Sequence, residues 1–137
     1  MRRQKEHITQ LFGLLVRGRL DEFLAGCDEE LVVTAHGSSP VPTTLTKGDI
    51  PDWFGSLRAL SPSSLRSSVE VARATKDTAM VILRHSFGRN GVDHHLEMAN
   101  FVVLREGLLA EWSSYPVDLP AYSRAWRTHD AFELASV

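Results

Sequence analysis

The chain has 137 residues, of which 43% are hydrophobic and 23% charged, with a formal net charge of −2, the size and composition of one globular domain. A chain of this length buries enough surface to stand without disulfides or a structural metal, and its single cysteine, Cys27, cannot form an internal bridge. The near-neutral charge gives no electrostatic reason to expect nucleic acid or an anionic membrane as partner, and no segment approaches the roughly 20 apolar residues that cross a bilayer.

The N-terminus is basic, but Arg17, Arg19 and Asp21 break the following apolar stretch before a signal-peptide core forms, so a cytoplasmic protein is the expectation. Ile8, Leu11, Phe12, Leu15 and Val16 recur with the spacing of one helix face. Gly18 is placed to end that helix in a left-handed conformation. Leu20, Phe23 and Leu24 continue as a short second helix, with Asp21 and Glu22 at its positive dipole end. Cys27 follows among acids that disfavour a thiolate, and is read as a small buried residue. Leu31 to Ala35 is a β-branched run of strand length.

His36 to Thr46, rich in Ser, Pro and Thr, reads as loop. Asp49 then has the look of an N-cap, with Pro51 tolerated in the first turn and Asp52 in the capping-box position. Trp53, Phe54, Leu57 and Leu60 supply the buried face of a third helix, which Pro62 ends. From Leu65 to Tyr115 the pattern is antiparallel sheet, with strands over Ala79 to Phe87, His94 to Leu104 and Leu109 to Tyr115. Asn90-Gly91 is the signal of a two-residue type I′ hairpin, and Arg105-Glu106-Gly107 is a further turn. Tyr122 and Trp126 mark a short C-terminal helix before a frayed tail. Helix, helix, strand, helix and then long strands make one α+β domain, a curved antiparallel sheet wrapped around three helices with an apolar pocket between.

The hairpin sets which side chains meet. With residues 90 and 91 at its tip, Phe87 faces His94 and His85 faces Leu96. Alternation by two puts Leu83, His85 and Phe87 on one face with His94, Leu96, Met98 and Asn100. The opposite set, with Arg84, Ser86, Asp93, His95 and Glu97, is the wetter, so the first set faces the pocket. The Gly107 turn adds Trp112 and Ser114 to that side, and Trp53 and Phe54 roof it from the third helix.

Four phrases in order carry a family resemblance: Gly18-Arg19-Leu20-Asp21-Glu22-Phe23, Asp28-Glu29-Glu30-Leu31-Val32-Val33, Lys47-Gly48-Asp49-Ile50-Pro51-Asp52-Trp53-Phe54, and Arg105-Glu106-Gly107 through Trp112 to Tyr115, followed by Asp118. Over about residues 8–126 the chain resembles the SnoaL-like, ketosteroid-isomerase-like superfamily, whose fold is also that of nuclear transport factor two. The resemblance implies a cone-shaped α+β barrel and a homodimer. It does not carry over the acids of the catalytic members. Where ketosteroid isomerases have aspartates, this chain aligns Ala35 with His36, and Asn100; the tyrosine of their first helix is Leu11 or Phe12 here. The Asp-Arg-Asp set of limonene-epoxide-hydrolase-like members falls on Asn100, Met98 and Ser114. Members similar to scytalone dehydratase use histidines, an asparagine and a serine, which His85, Asn100 and Ser114 resemble in type.

The expected activity is acid–base chemistry on a small apolar molecule bearing a carbonyl or hydroxyl, of the cyclase, isomerase or dehydratase type and without a cofactor. His85 is the candidate base and His36 the second candidate; Asn100 and Ser114 are the candidate oxyanion donors. Trp53, Phe54, Leu83, Phe87, His94, Met98 and Trp112 are the candidate substrate contacts. An imidazole among apolar neighbours is equally what a core histidine bonded to a backbone carbonyl gives, and Asn100 has the alternative of a satisfied core amide. No metal is expected: His94 and His95 point to opposite faces of their strand, and His85 with His94 lacks a third ligand. The alternative function is a non-catalytic ligand-binding or dimerisation domain of the same fold.

Overall fold

The computed structural model describes residues 2–37, 43–60, 64–89, 91–122 and 124. Helices α1 (Arg2–Val16) and α2 (Leu20–Ala25) lead into β1 (Cys27–Ala35), β2 (Thr43–Thr46), a 3-10 turn (Lys47–Asp49) and α3 (Ile50–Leu60). The chain then runs through β3 (Arg66–Ala74), β4 (Thr78–Arg89), β5 (Val92–Arg105) and β6 (Leu108–Pro116). The six strands form one sheet in the order β2-β1-β6-β5-β4-β3.

The expected helix stripe is the one that packs: Ile8, Leu11, Phe12 and Leu15 are buried. Gly18, at φ 76°, closes α1 with two backbone bonds, Gly18 N to Leu15 O (3.0 Å) and Arg19 N to Leu14 O (2.9 Å), the paired closure that a left-handed residue permits. Cys27 is buried, its Sγ 3.4 Å from Phe23 O, and burial pushes its thiol up to about 11, as expected of a structural cysteine.

Three local readings are corrected. Residues 43–46, read as loop, form the edge strand β2, antiparallel to β1 with Val33 opposite Leu45; the β-branched threonines there suit a pleated edge. The helix cap is one turn earlier than Asp49: Thr46 N and Thr46 Oγ1 both donate to Asp49 Oδ2 at 2.9 Å, so Asp49 closes the capping box and those bonds hold its carboxyl below the ordinary range. The sheet is not antiparallel throughout, because β1 runs parallel to β6, with Val33 opposite Trp112 and Ala35 opposite Ser114. That pair is joined through the whole length of the fold, so no turn signal could reveal it.

The hairpins agree with the sequence. Arg89 pairs with Val92 and Phe87 with His94, and Gly91 has φ 76°; Asn90 itself lies outside the described residues, as do Pro62 and Trp126. Glu106 (φ 54°) and Gly107 (φ 80°) both have positive φ between the paired Arg105 and Leu108, the requirement of a two-residue type I′ turn. Register shifts at Val71/Arg73 and Val103/Leu104 are bulges of the kind that bend strands, which helps curl β3 to β6 over the helices. At the centre of the core Trp112 meets Phe12, Phe23 and Trp53 edge-on, with ring centroids 5.3, 5.8 and 5.9 Å away.

The other sheet face mixes charge and apolar surface. Arg84 bridges Glu70 on β3 (2.7 Å) and Glu97 on β5 (3.5 Å). Beside this ladder Phe101 is 48% exposed and Tyr115 40%, their rings edge to face at 5.9 Å.

Candidate functional site

Directly paired residues share a face, so the registers define the concave lining row by row. Nearest the aromatic core, Val81, Asn100, Ser114 and Ala35 lie across β4, β5, β6 and β1. Next come Val69, Leu83, Met98 and Pro116, then Ser67, His85 and Leu96, and finally Phe87 with His94 near the hairpin end. The face expected for Leu83, His85, Phe87, His94, Met98, Asn100, Trp112 and Ser114 is therefore the one they occupy.

Their surroundings divide them. Asn100 is 0% exposed. Its Nδ2 donates to Val81 O (3.2 Å) and Met98 O (3.0 Å), and its Oδ1 accepts from Trp112 Nε1 (2.8 Å). Both amide hydrogens are engaged, so Asn100 has none to offer a developing oxyanion; the expected donor role is overturned in favour of a satisfied core amide. It also lies opposite Val81, four residues from His85 along β4, or about 13 Å at the rise of a strand, with the Leu83–Met98 row between them, too far for the two to address one oxygen. Trp112 is 2% exposed and enclosed by Phe12, Phe23 and Trp53. It is a core pillar rather than a substrate contact.

His36 is also corrected. Ala35 points inward opposite Ser114. One residue on, the His36 ring stacks on Tyr115 at 4.1 Å and 9°, and Tyr115 pairs with Ala99 on the convex side. His36 is thus held against the outer face, away from His85. Ser114 is buried on the concave side, and its hydroxyl makes no hydrogen bond among the described residues. Trp53, Phe54 and Met98 are half-buried and pack against the core cluster, of which the buried Leu83 is a member.

What remains is a polar group at the hairpin end. His85 Nδ1 is 2.7 Å from Ser67 Oγ across the β3–β4 pair, and burial lowers the His85 pKa from its ordinary value, favouring neutral imidazole. Its partner is a side-chain hydroxyl, not the backbone carbonyl of an ordinary core histidine. His94 stacks on Phe87 at 5.2 Å and 27°, and its Nε2 is buried without a hydrogen-bond partner. The two histidines are diagonal neighbours by register, a relation that brings long side chains within reach of one another. Leu65, Ala121 and Tyr122 pack against Phe87 and Leu96, so the helical turn at residues 119–122, capped by Asp118 Oδ1 on Ala121 N (3.0 Å), borders this end. Tyr122 also lies against Gly37.

Ser67 and Tyr122 were not foreseen as site residues. Leu65, Ser67, Val69 and Val71 alternate legibly, but the β3–β4 connection has no turn dipeptide and the bulge after Val71 slips the register by one. None of the strand residues that the registers place on this lining is Asp, Glu, Lys or Arg, so its ionisable groups are the two imidazoles and the bordering Tyr122 phenol. Nor do three or more His, Cys, Asp or Glu residues come together among the described residues as a metal would require.

No family model matches the sequence, and no curated protein matches it significantly. Solved structures match in shape. An NTF2-like protein from Burkholderia thailandensis superposes with a TM-score of 0.73 at 13% identity, covering 90% of this chain and 96% of its own. TerC, co-crystallised with polyporic acid, gives 0.72 at 13% identity over 88% of this chain and 95% of its own. A SnoaL-like protein from Mesorhizobium loti gives 0.60 at 12% identity over 80% and 96%. The chain has the cone-shaped NTF2-like α+β fold; at these identities the likeness extends to the fold alone.

Proposed function

We propose that this NTF2-like domain holds a small, neutral, mostly apolar molecule against the hairpin end of its concave face and acts on it as a cofactor-independent acid–base enzyme of the cyclase, isomerase or dehydratase type. The observation that carries the reading is the Ser67–His85 pair at 2.7 Å, beside a buried, unpartnered His94 Nε2, next to the apolar Phe87, Leu96, Leu65 and Ala121. A pKa that burial holds below the ordinary range keeps the His85 imidazole neutral near neutral pH, able to hydrogen-bond a ligand oxygen and polarise it. The absence of charge among the described lining residues favours a ligand without charge, since a buried ion there would lack a counter-ion.

Apolar carbonyl compounds give the test. The wild-type protein should accelerate exchange of the α-protons of tetralone with heavy water, followed by proton NMR, and His85→Gln should remove most of that rate while leaving the fold intact. No exchange above buffer with tetralone and similar bicyclic ketones would put the second reading ahead. That reading is a non-catalytic ligand-binding domain, favoured by one observation: the amide hydrogens of Asn100 are committed to Val81 O and Met98 O, leaving the polar catalytic set smaller than the sequence suggested. Under either reading the exposed Phe101–Tyr115 surface is proposed as the contact between two copies of the chain, because singly scattered apolar residues need no cover but a contiguous patch does.

A further inference from the structure

The hydroxyl of Ser67 has one hydrogen, and a neutral imidazole has one N–H and one bare nitrogen. The contact between Ser67 Oγ and His85 Nδ1 is 2.7 Å, and the tautomer decides which side donates. If Nδ1–H were the donor, the Ser67 hydrogen would have no acceptor among the described residues, an arrangement that costs free energy at a half-buried site. If Ser67 donates, every hydrogen of the pair has a partner except the one on Nε2 of His85. The neighbouring His94 presents the complementary deficit: its Nε2 is buried and makes no hydrogen bond, while its ring is fixed by stacking on Phe87. Two side chains on adjoining rows therefore each carry a ring nitrogen without a hydrogen bond beside the Phe87–Leu96 cluster, which Leu65, Ala121 and Tyr122 cover.

Building on the concave-site reading above, we propose that Ser67 is a positioning residue that donates to His85 Nδ1, holding His85 as the Nε2–H tautomer, and that one neutral hydroxyl on a planar ring accepts from His85 Nε2–H and donates to His94 Nε2, a carbonyl oxygen being held by His85 alone. In this role His85 enters as a hydrogen-bond donor that polarises the ligand oxygen. A base would need the opposite tautomer. A planar ring is part of the proposal because the flat rings of Phe87 and His94 border the site, and neutrality because the strand residues of the lining carry no charge.

The tautomer is read directly in the free, full-length protein by long-range nitrogen–proton NMR correlation of the imidazole rings. The wild type and Ser67→Thr should show His85 protonated at Nε2, and Ser67→Ala should show a mixture. Binding is then measured with naphthol, naphthalene and naphthoate as probes. Naphthol should bind best, and His94→Phe, which keeps the ring stack, should weaken naphthol about tenfold, the worth of one hydrogen bond, without changing naphthalene. An Nδ1–H tautomer in the wild type, or naphthalene binding as tightly as naphthol, would overturn the proposal. A protein that binds naphthol through both histidines yet never exchanges tetralone protons would sink the enzyme reading and leave this inference standing.

Discussion

Replacing Asn100 by Leu separates a structural from a catalytic role more sharply than any other substitution in the fold. The side chain is fully buried and joins β4, β5 and β6 through Val81 O, Met98 O and Trp112 Nε1. Leucine keeps the branched shape and the number of heavy atoms, with bulkier methyls, so no cavity forms; the main loss is polar. The indole N–H of Trp112, enclosed by Phe12, Phe23 and Trp53, keeps no acceptor, and two carbonyls lose a donor. An orphaned buried group costs about 1–3 kcal/mol, so the expected loss is roughly 2–5 kcal/mol, a large share of the ~5–15 kcal/mol of a typical domain. Urea unfolding followed by tryptophan fluorescence measures it. Pairing Asn100→Leu with Trp112→Phe completes a double-mutant cycle. Removing both partners should cost less than the sum of the single changes by about 1 kcal/mol or more. Additive losses, or an Asn100→Leu protein within about 0.5 kcal/mol of wild type, would refute the structural assignment.

Other outcomes follow from the same geometry. Because the folded state lowers the His85 pKa by burial, the unfolded chain takes up the proton first on acidification. The stability advantage of wild type over His85→Gln should thus be largest above about pH 6.5 and shrink as pH falls below it; a difference in unfolding free energy that is flat or grows towards acid would contradict this. Glu106, held at φ 54° in the β5–β6 turn, pays the steric cost of a left-handed side chain, so Glu106→Asn should stabilise the protein by about 0.5–1 kcal/mol, seen as a higher urea midpoint. If the convex face joins two copies, Phe101→Asp should shift sedimentation from dimer to monomer at micromolar concentration without loss of secondary structure. A wild-type protein that is already monomeric there would exclude the dimer.

The concave face was legible because the β4–β5 hairpin is pinned by its turn. Once residues 90 and 91 are the loop, alternation places His85, His94 and Asn100 without further information, and the Gly107 turn does the same for Trp112 and Ser114. Alternation says which way a side chain points, not what it meets. The sequence therefore could not distinguish an Asn100 aimed at a ligand from one gripping Trp112. His36 illustrates a different limit. The strand rule, carried one residue past inward-facing Ala35, sends His36 outward onto Tyr115; the resemblance aligned Ala35 and His36 with a catalytic acid position, and the local geometry prevailed. Ser67 was hidden by the bulge after Val71, and the parallel β1–β6 pair by the absence of any local signal for contacts between distant segments.

The location of a bound ligand tests the account most directly. In a crystal soaked with tetralone, the carbonyl oxygen should lie within hydrogen-bond reach of His85 Nε2, about 3 Å, with the ring against Phe87 and Leu96 and with Asn100 still bonded to Trp112. A ligand seated instead among Asn100, Trp112 and Trp53, or beside His36 on the convex face, would contradict the assignment of the site to the hairpin end of the cone.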